Sequence, residues 1–246
     1  MFLKFQPLLY TLAFLCGLEF ILVSPGHFTL IIFLMLYFSA TAGRKIGGKW
    51  FFAVLPIFFT LSSAALLYLI GLTYEQQIFI LLASSMYYLA LLSAYRLGLY
   101  GGDQTAKGMN MAAMATTIFF TYAATYGLYL NFLVPLYYLM MAYLIVTLFV
   151  SYQYFLIIKK DNRKIVWVYS FLLSMIMTEI IWTMNFWPFG YLTTGVVALI
   201  LYYILWDLTQ SYFLNLLSQK RVVANMVFFS VLVVLVLLSA KWLPVV

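Results

Sequence analysis

Apolar residues run through this chain in long blocks, and polar residues are confined to the short intervals between them. Nine blocks stand out, at residues 5–23, 28–42, 50–71, 76–95, 109–129, 132–158, 165–186, 191–206 and 222–240. Most are near the roughly 20 residues that an α-helix needs to cross a bilayer. None alternates apolar and polar positions with the period of two that marks a barrel strand. The pattern predicts an all-α polytopic integral membrane helix bundle of nine transmembrane helices, forming a single transmembrane domain over residues 1–246. The second and eighth blocks are the shortest, so each is read as either little tilted or partly re-entrant.

Breaks fall between the blocks. Ser24-Pro25-Gly26 predicts a tight turn after the first helix, because proline and glycine interrupt helices. Residues 73–77 read as a short loop carrying Glu75, Asn131 as a turn residue, and residues 186–190 as another turn. Residues 96–108, with four glycines and Lys107, read as a flexible connector. They do not match the phosphate-binding pattern G-x-x-x-x-G-K-[ST]. In residues 207–221, Leu208, Tyr212, Phe213, Leu216 and Leu217 fall on one helical face, which predicts either an extension of the eighth helix or a surface-lying helix.

Charge fixes an orientation. With nine crossings, Lys4, Arg44, Lys45, Lys49, Arg96, Lys107, Lys159, Lys160, Arg163, Lys164, Lys220 and Arg221 share one face, and only Lys241 falls on the other. Basic loops face the cytoplasm, so the N-terminus is expected inside and the C-terminus outside. The net charge of +7 is therefore a topology signal and not a nucleic-acid footprint. The basic loop at residues 159–164 can meet anionic lipid headgroups on the inner side. Trp50, Tyr152, Tyr154, Trp167 and Trp206 on the inside, and Trp182, Trp187, Tyr191 and Trp242 on the outside, are expected in the aromatic belts.

Composition agrees. Hydrophobic residues make up 67% of the 246, charged residues 8%, and the mean hydropathy is +1.07. Soluble domains carry charge on about a quarter of their residues. The first 24 residues lack a small-residue cleavage site before Pro25 and are read as a retained helix. The single cysteine, Cys16, excludes an internal disulfide and is expected to be a buried, inert thiol. The fifth block is rich in glycine, alanine and threonine, which lets helix backbones approach closely and predicts a central position.

The chemistry is concentrated in MIMTEIIWTMNFWPFGY, residues 175–191. Glu179 lies inside an apolar run. An ionised group in hydrocarbon costs roughly 3 kcal/mol on insertion scales, so such a residue is expected to face the bundle interior and to have a partner. Met175, Glu179, Trp182, Thr183 and Phe186 share one side of the predicted helix, with Ser174, Thr178 and Asn185 on a neighbouring stripe. Glu19 and His27 lie near the same predicted membrane face. Glu179, Asn185, Trp182, Glu19 and His27 are therefore the candidate substrate-binding residues. Either they converge on an outward-facing cavity, or the glutamates make packing hydrogen bonds and sit in the wet interface.

No catalytic motif is present: neither H-E-x-x-H nor G-x-S-x-G occurs, and one histidine cannot make a multi-histidine metal site. No cofactor and no metal are implied. The E-x-x-W…N-F-W-P-F-G stretch, followed by a tyrosine-rich short helix, resembles small multi-pass bacterial inner-membrane proteins of unassigned function. The resemblance covers the last third of the chain and implies a bacterial-type inner-membrane location. Three readings stay open: a small-molecule or ion-coupled carrier using Glu179, a lipid-handling protein or enzyme at the outer leaflet, and a non-catalytic scaffold. The lack of a catalytic motif puts the enzyme reading behind the others.

Overall fold

A computed structural model of the chain describes residues 5–132, 134–159 and 162–240. Lys4, Lys160, Lys241, Trp242 and the side chain of Arg221, all used in the charge and belt arguments, lie outside the described residues. Among the described residues there are nine α-helices and two 3-10 turns, with no strand. The helices are α1 (Gln6–Val23), α2 (Phe28–Gly47), α3 (Val54–Leu69), α4 (Thr73–Leu99), α5 (Gln104–Phe132), α6 (Leu136–Ile158), α7 (Arg163–Met184), α8 (Tyr191–Phe213) and α9 (Gln219–Ser239). Helices are what such apolar segments must form, because hydrocarbon offers no other partner to backbone N–H and C=O groups.

Eight of these helical segments are long and apolar enough to cross a membrane, which marks a membrane protein. The exception is α5, whose Thr116, Thr117, Thr121, Tyr122, Thr125 and Tyr126 dilute its apolar stretch. The two blocks expected to be short are full length: α2 has 20 residues and α8 has 23. Each continues past its apolar block through polar residues, Arg44-Lys45 in the last turn of α2 and residues 207–210 ahead of the last turn of α8. The amphipathic segment thus extends α8 to Phe213 and then breaks at Asn215, whose φ of +55° is left-handed. Asparagine tolerates that conformation better than most residues. At the end of α2, Gly48 has φ +72°, where only glycine is free of strain.

Other loops are smaller than the sequence indicated. Thr73–Gln77 is the first turn of α4 and not a loop. Asn131 sits in the last turn of α5 and donates its side-chain amide to the Gly127 carbonyl at 2.8 Å. The expected flexible connector shrinks to four residues, 100–103, tied across its ends. Arg96 Nε and Nη2 both lie 2.7 Å from Asp103 Oδ2, and the Ala106 N–H donates to Oδ1 at 3.2 Å. Partial burial pushes the Asp103 carboxyl up, but the Ala106 amide and the Arg96 guanidinium outweigh it and hold the group below its usual range. The turn after α1 is as expected, a 3-10 turn at Pro25–His27.

Two compact units divide the chain, residues 1–121 and 122–246. In the first, α1 packs on α2 and α4, and α2 packs on α3 and α4. Phe14 stacks on Tyr87 with centroids 4.2 Å apart, and Phe59 contacts both rings. The Tyr87 hydroxyl donates to Ser39 Oγ at 2.9 Å, which lies 2.7 Å from Thr60 Oγ1. A Cβ added at Gly43 would lie 2.5 Å from Ala53 Cα and 2.6 Å from the Phe52 carbonyl oxygen, so this helix contact requires glycine. Cys16 is exposed on α1, not buried as expected. The buried stripe of α1 is Pro7, Thr11, Phe14, Leu18 and Ile21, and Cys16 falls off it.

In the second unit, α6 packs on α7, α8 packs on α7, and α9 packs on α8. The Tyr122 and Tyr143 rings stack 3.9 Å apart and 3° from parallel. Buried hydroxyls pair across helices: Tyr122 with Thr147 at 2.6 Å, and Ser151 with Tyr202 at 2.9 Å. Tyr154 donates to Gln210 Oε1 at 3.3 Å. Tyr154 and Trp206, expected in the belt, are buried against each other in this core, with centroids 5.0 Å apart. Trp167 is exposed as expected, as is Trp50 in the first unit, where the Arg44 guanidinium lies over its ring. The α5 helix supplies its first part to one unit and its last part to the other.

Candidate ligand cleft on the second unit

The α7 helix begins under an Asn162 cap, whose side-chain oxygen accepts from the Ile165 N–H at 3.2 Å. Its buried stripe is Val166, Ser170, Leu173, Ser174, Met177, Thr178, Ile181 and Met184. Ser174 and Thr178 satisfy their hydroxyls within α7, donating to the carbonyls of Phe171 and Ser174. The neighbouring stripe identified from the sequence is thus the one that packs. The Met175, Glu179, Trp182, Thr183 and Phe186 side faces away from the core, and all five residues are exposed.

The expectation that Glu179 faces the interior and has a partner is overturned. Its side chain is exposed and makes no hydrogen bond or ion pair with any described residue. A 3.6-residue period groups residues on a face, but it does not say which face packs. Here the small hydroxyl side chains of Ser170, Ser174 and Thr178 let α7 come close to its neighbours. The bulkier glutamate and tryptophan are left outside.

Glu179 and Trp182 instead line an open cleft of about 330 Å³ together with Leu136, Tyr137 and Met140 of α6. Both helix ends meet here, since α6 starts at Leu136 and α7 ends at Met184. Glu179 is five residues from that end, about 7.5 Å along the axis at 1.5 Å per residue. The Trp182 ring sits edge-on to Phe186 with centroids 5.8 Å apart, and Tyr137 lies 4.2 Å from Tyr138. Apart from the carboxylate and the aromatic polar tips, the walls are apolar. The described basic residues of the α6–α7 pair, Lys159, Arg163 and Lys164, are all at its opposite end. The first turn of α6, which carries the positive end of the helix dipole, borders the cleft.

The other candidates do not join this cleft's lining. Asn185 is the half-buried C-cap of α7, and its backbone N–H donates to the Ile181 carbonyl. Glu19 and His27 belong to the first unit. Glu19 is half-buried on α1 and accepts from Gln77 Nε2 of α4 at 3.2 Å. His27 is exposed, and no hydrogen bond joins it to Glu19. A cavity of about 20 Å³ in the same unit lies beside Tyr10, Met35, Ser39 and Tyr87, with room for one water and no ligand. Among the described residues, no three His, Cys, Asp or Glu side chains gather as a metal site would require.

Sequence reasoning missed Leu136, Tyr137 and Met140. The signal was present in the short basic turn between α6 and α7. An antiparallel helix pair closing near residue 160 puts position 179 opposite about position 142, two residues from Met140.

Residues 28–239 match a family described as "Protein of unknown function (DUF5656)", and the chain belongs to it. No curated protein and no solved structure matches the chain.

Proposed function

We propose that this member of the DUF5656 family is a multi-pass protein of a bacterial-type inner membrane that binds an amphiphile from the outer leaflet in the Glu179 cleft. The observation that carries the reading is Glu179, without a hydrogen-bond or ion-pair partner among the described residues, in an open cleft lined by α6 and α7. A carrier would need a polar cavity near mid-depth. A scaffold would hold its glutamates in closed hydrogen bonds. An apolar cleft one to two turns from a helix end, open to the surroundings and marked by one carboxylate, fits a lipid-handling surface better than either.

The proposed orientation has nine crossings with α5 included, the N-terminus in the cytoplasm and the C-terminus outside. Charge supports it, since twelve of the thirteen basic residues then share the cytoplasmic face. That orientation puts the α6–α7 cleft at the outer leaflet and the basic turn between the two helices against anionic inner-leaflet lipid.

The test is lipid retention by native mass spectrometry of the protein released from bilayers of mixed composition. The wild type is compared with Leu136→Trp, which fills the cleft. Retained lipid is expected to fall in the filled variant. Equal retention by the two proteins would sink the reading.

A further inference from the structure

We propose that the cleft selects a phospholipid whose headgroup ends in an ammonium, the positive group held between Glu179 and the rings of Trp182 and Tyr137. The inference rests on the reading that the cleft binds an amphiphile, and adds the chemistry of its headgroup. Glu179 supplies a negative charge that no described side chain neutralises. Trp182 and Tyr137 are about half exposed, at 48% and 57%, and line the cleft together with Glu179. An ammonium beside a carboxylate and over aromatic faces is stabilised by both, and partial exclusion of water strengthens the ring contribution.

Charge complementarity separates this headgroup from the anionic alternative. The described basic side chains of α6 and α7 are at the far end of the pair, so a purely anionic headgroup would meet Glu179 with no cation to offset the repulsion. The phosphate of a zwitterionic headgroup is different, because it sits one linker away from the ammonium. The first turn of α6 borders the cleft with its positive dipole end and suits that phosphate. Further along the two helices, Met141 of α6 and Leu172 and Met175 of α7 are exposed and apolar, as residues that meet acyl chains must be. At about 330 Å³ the cleft matches a headgroup and its glycerol and not a whole lipid, so the chains must lie outside it.

The experiment reconstitutes the full chain in bilayers of equal parts phosphatidylethanolamine, phosphatidylcholine and phosphatidylglycerol and reads the headgroups retained on release by native mass spectrometry. Enrichment of the two zwitterionic lipids over phosphatidylglycerol is expected at roughly fivefold, the scale of one partly desolvated cation–π contact. Glu179→Gln should abolish the enrichment and Glu179→Lys should invert it toward phosphatidylglycerol. Thermal midpoints of both variants confirm folding, and Trp182→Leu, which keeps the charge, should weaken the enrichment without abolishing it. Lipid retained without headgroup preference, or with a preference that Glu179→Gln leaves unchanged, overturns the ammonium site alone. Wild-type protein that retains no more lipid than Leu136→Trp overturns the amphiphile reading with it. Within the zwitterionic class, a preference for ethanolamine over choline assigns the contact mainly to the carboxylate, and the reverse assigns it mainly to the rings.

Discussion

The hydroxyls of Tyr122 and Thr147 lie 2.6 Å apart in the buried core of the second unit, where the Tyr122 ring also stacks on Tyr143. Membrane helices gain little from the hydrophobic effect between themselves, because lipid tails are as apolar as leucine. A hydroxyl pair with a stacked ring therefore carries specificity. Tyr122→Phe and Thr147→Val should each destabilise the protein by about 1 kcal/mol. Their double-mutant coupling should be about 0.6 kcal/mol, the average for such pairs in membranes. Unfolding in mixed detergent micelles measures all three, and strictly additive losses would show that the pair is incidental.

Two glycines of the first unit should respond differently to the same methyl group. At Gly43 the added Cβ meets backbone atoms, Ala53 Cα at 2.5 Å and Phe52 O at 2.6 Å, which cannot move without moving a helix. At Gly17 it meets only the flexible end of Met35, whose sulfur is 2.7 Å away. Gly43→Ala should cost roughly 1–3 kcal/mol, the range for overpacked cores, and Gly17→Ala clearly less. Thermal midpoints of the two variants in one detergent decide the ranking.

Acid should release the clasp between α4 and α5. Asp103 titrates below its ordinary 3.8 when folded, because Ala106 N–H and Arg96 favour its charged form over the opposing effect of burial. A depressed carboxyl contributes stability that is complete above its unfolded value and is lost as pH falls through the folded one. Hydrogen exchange of the first α5 amides should be slower in wild type than in Asp103→Asn at pH 6. The difference should begin to narrow near pH 3.8 and close only as the pH falls through the lower folded value. A difference independent of pH would assign the effect to packing instead.

Removing the Glu179 charge should not weaken the fold. The side chain is exposed and holds no hydrogen bond among the described residues, so Glu179→Leu deletes a membrane charge without leaving an orphaned partner. A mid-membrane charge costs up to about 3 kcal/mol, and less near a helix end. The expected midpoint is equal to wild type or higher. A large drop would mean that Glu179 is satisfied by something outside the described contacts.

Orientation has its own test. On a Cys16→Ser background, cysteines at Lys49 and Gly102 should react with a membrane-impermeant maleimide only from the cytoplasmic side, and a cysteine at His27 only from outside. Reaction of Gly102 and Lys49 from opposite sides would remove either α3 or α4 from the crossings.

Local chemistry makes much of the fold legible in the amino-acid order. Each apolar block contains a helix among the described residues, and Pro25 and Gly26 break the chain where expected. Polar residues at Glu75, Lys107 and Asn131 make the loops look longer in the sequence than they are. Polarity at a helix end does not stop a helix whose backbone bonds continue, and Asp103 starts α5 by capping it. The site was legible in part. Glu179 and Trp182 were identified from one helical face, but their cleft partners come from the neighbouring helix.

Hydropathy and the 3.6-residue period are local properties. They suffice to make this a helical membrane protein, to place its helices and to group the residues that share each face. Which face packs is a property of the assembled helices. Close approach made that choice, at Gly43 against the Phe52–Ala53 backbone and at the serines and threonine of α7, and it turned Glu179 outward. In hydrocarbon the solvent is as apolar as the core, so hydrophobicity does not distinguish inside from outside. Steric fit between helices does, and it depends on residues far apart in the chain.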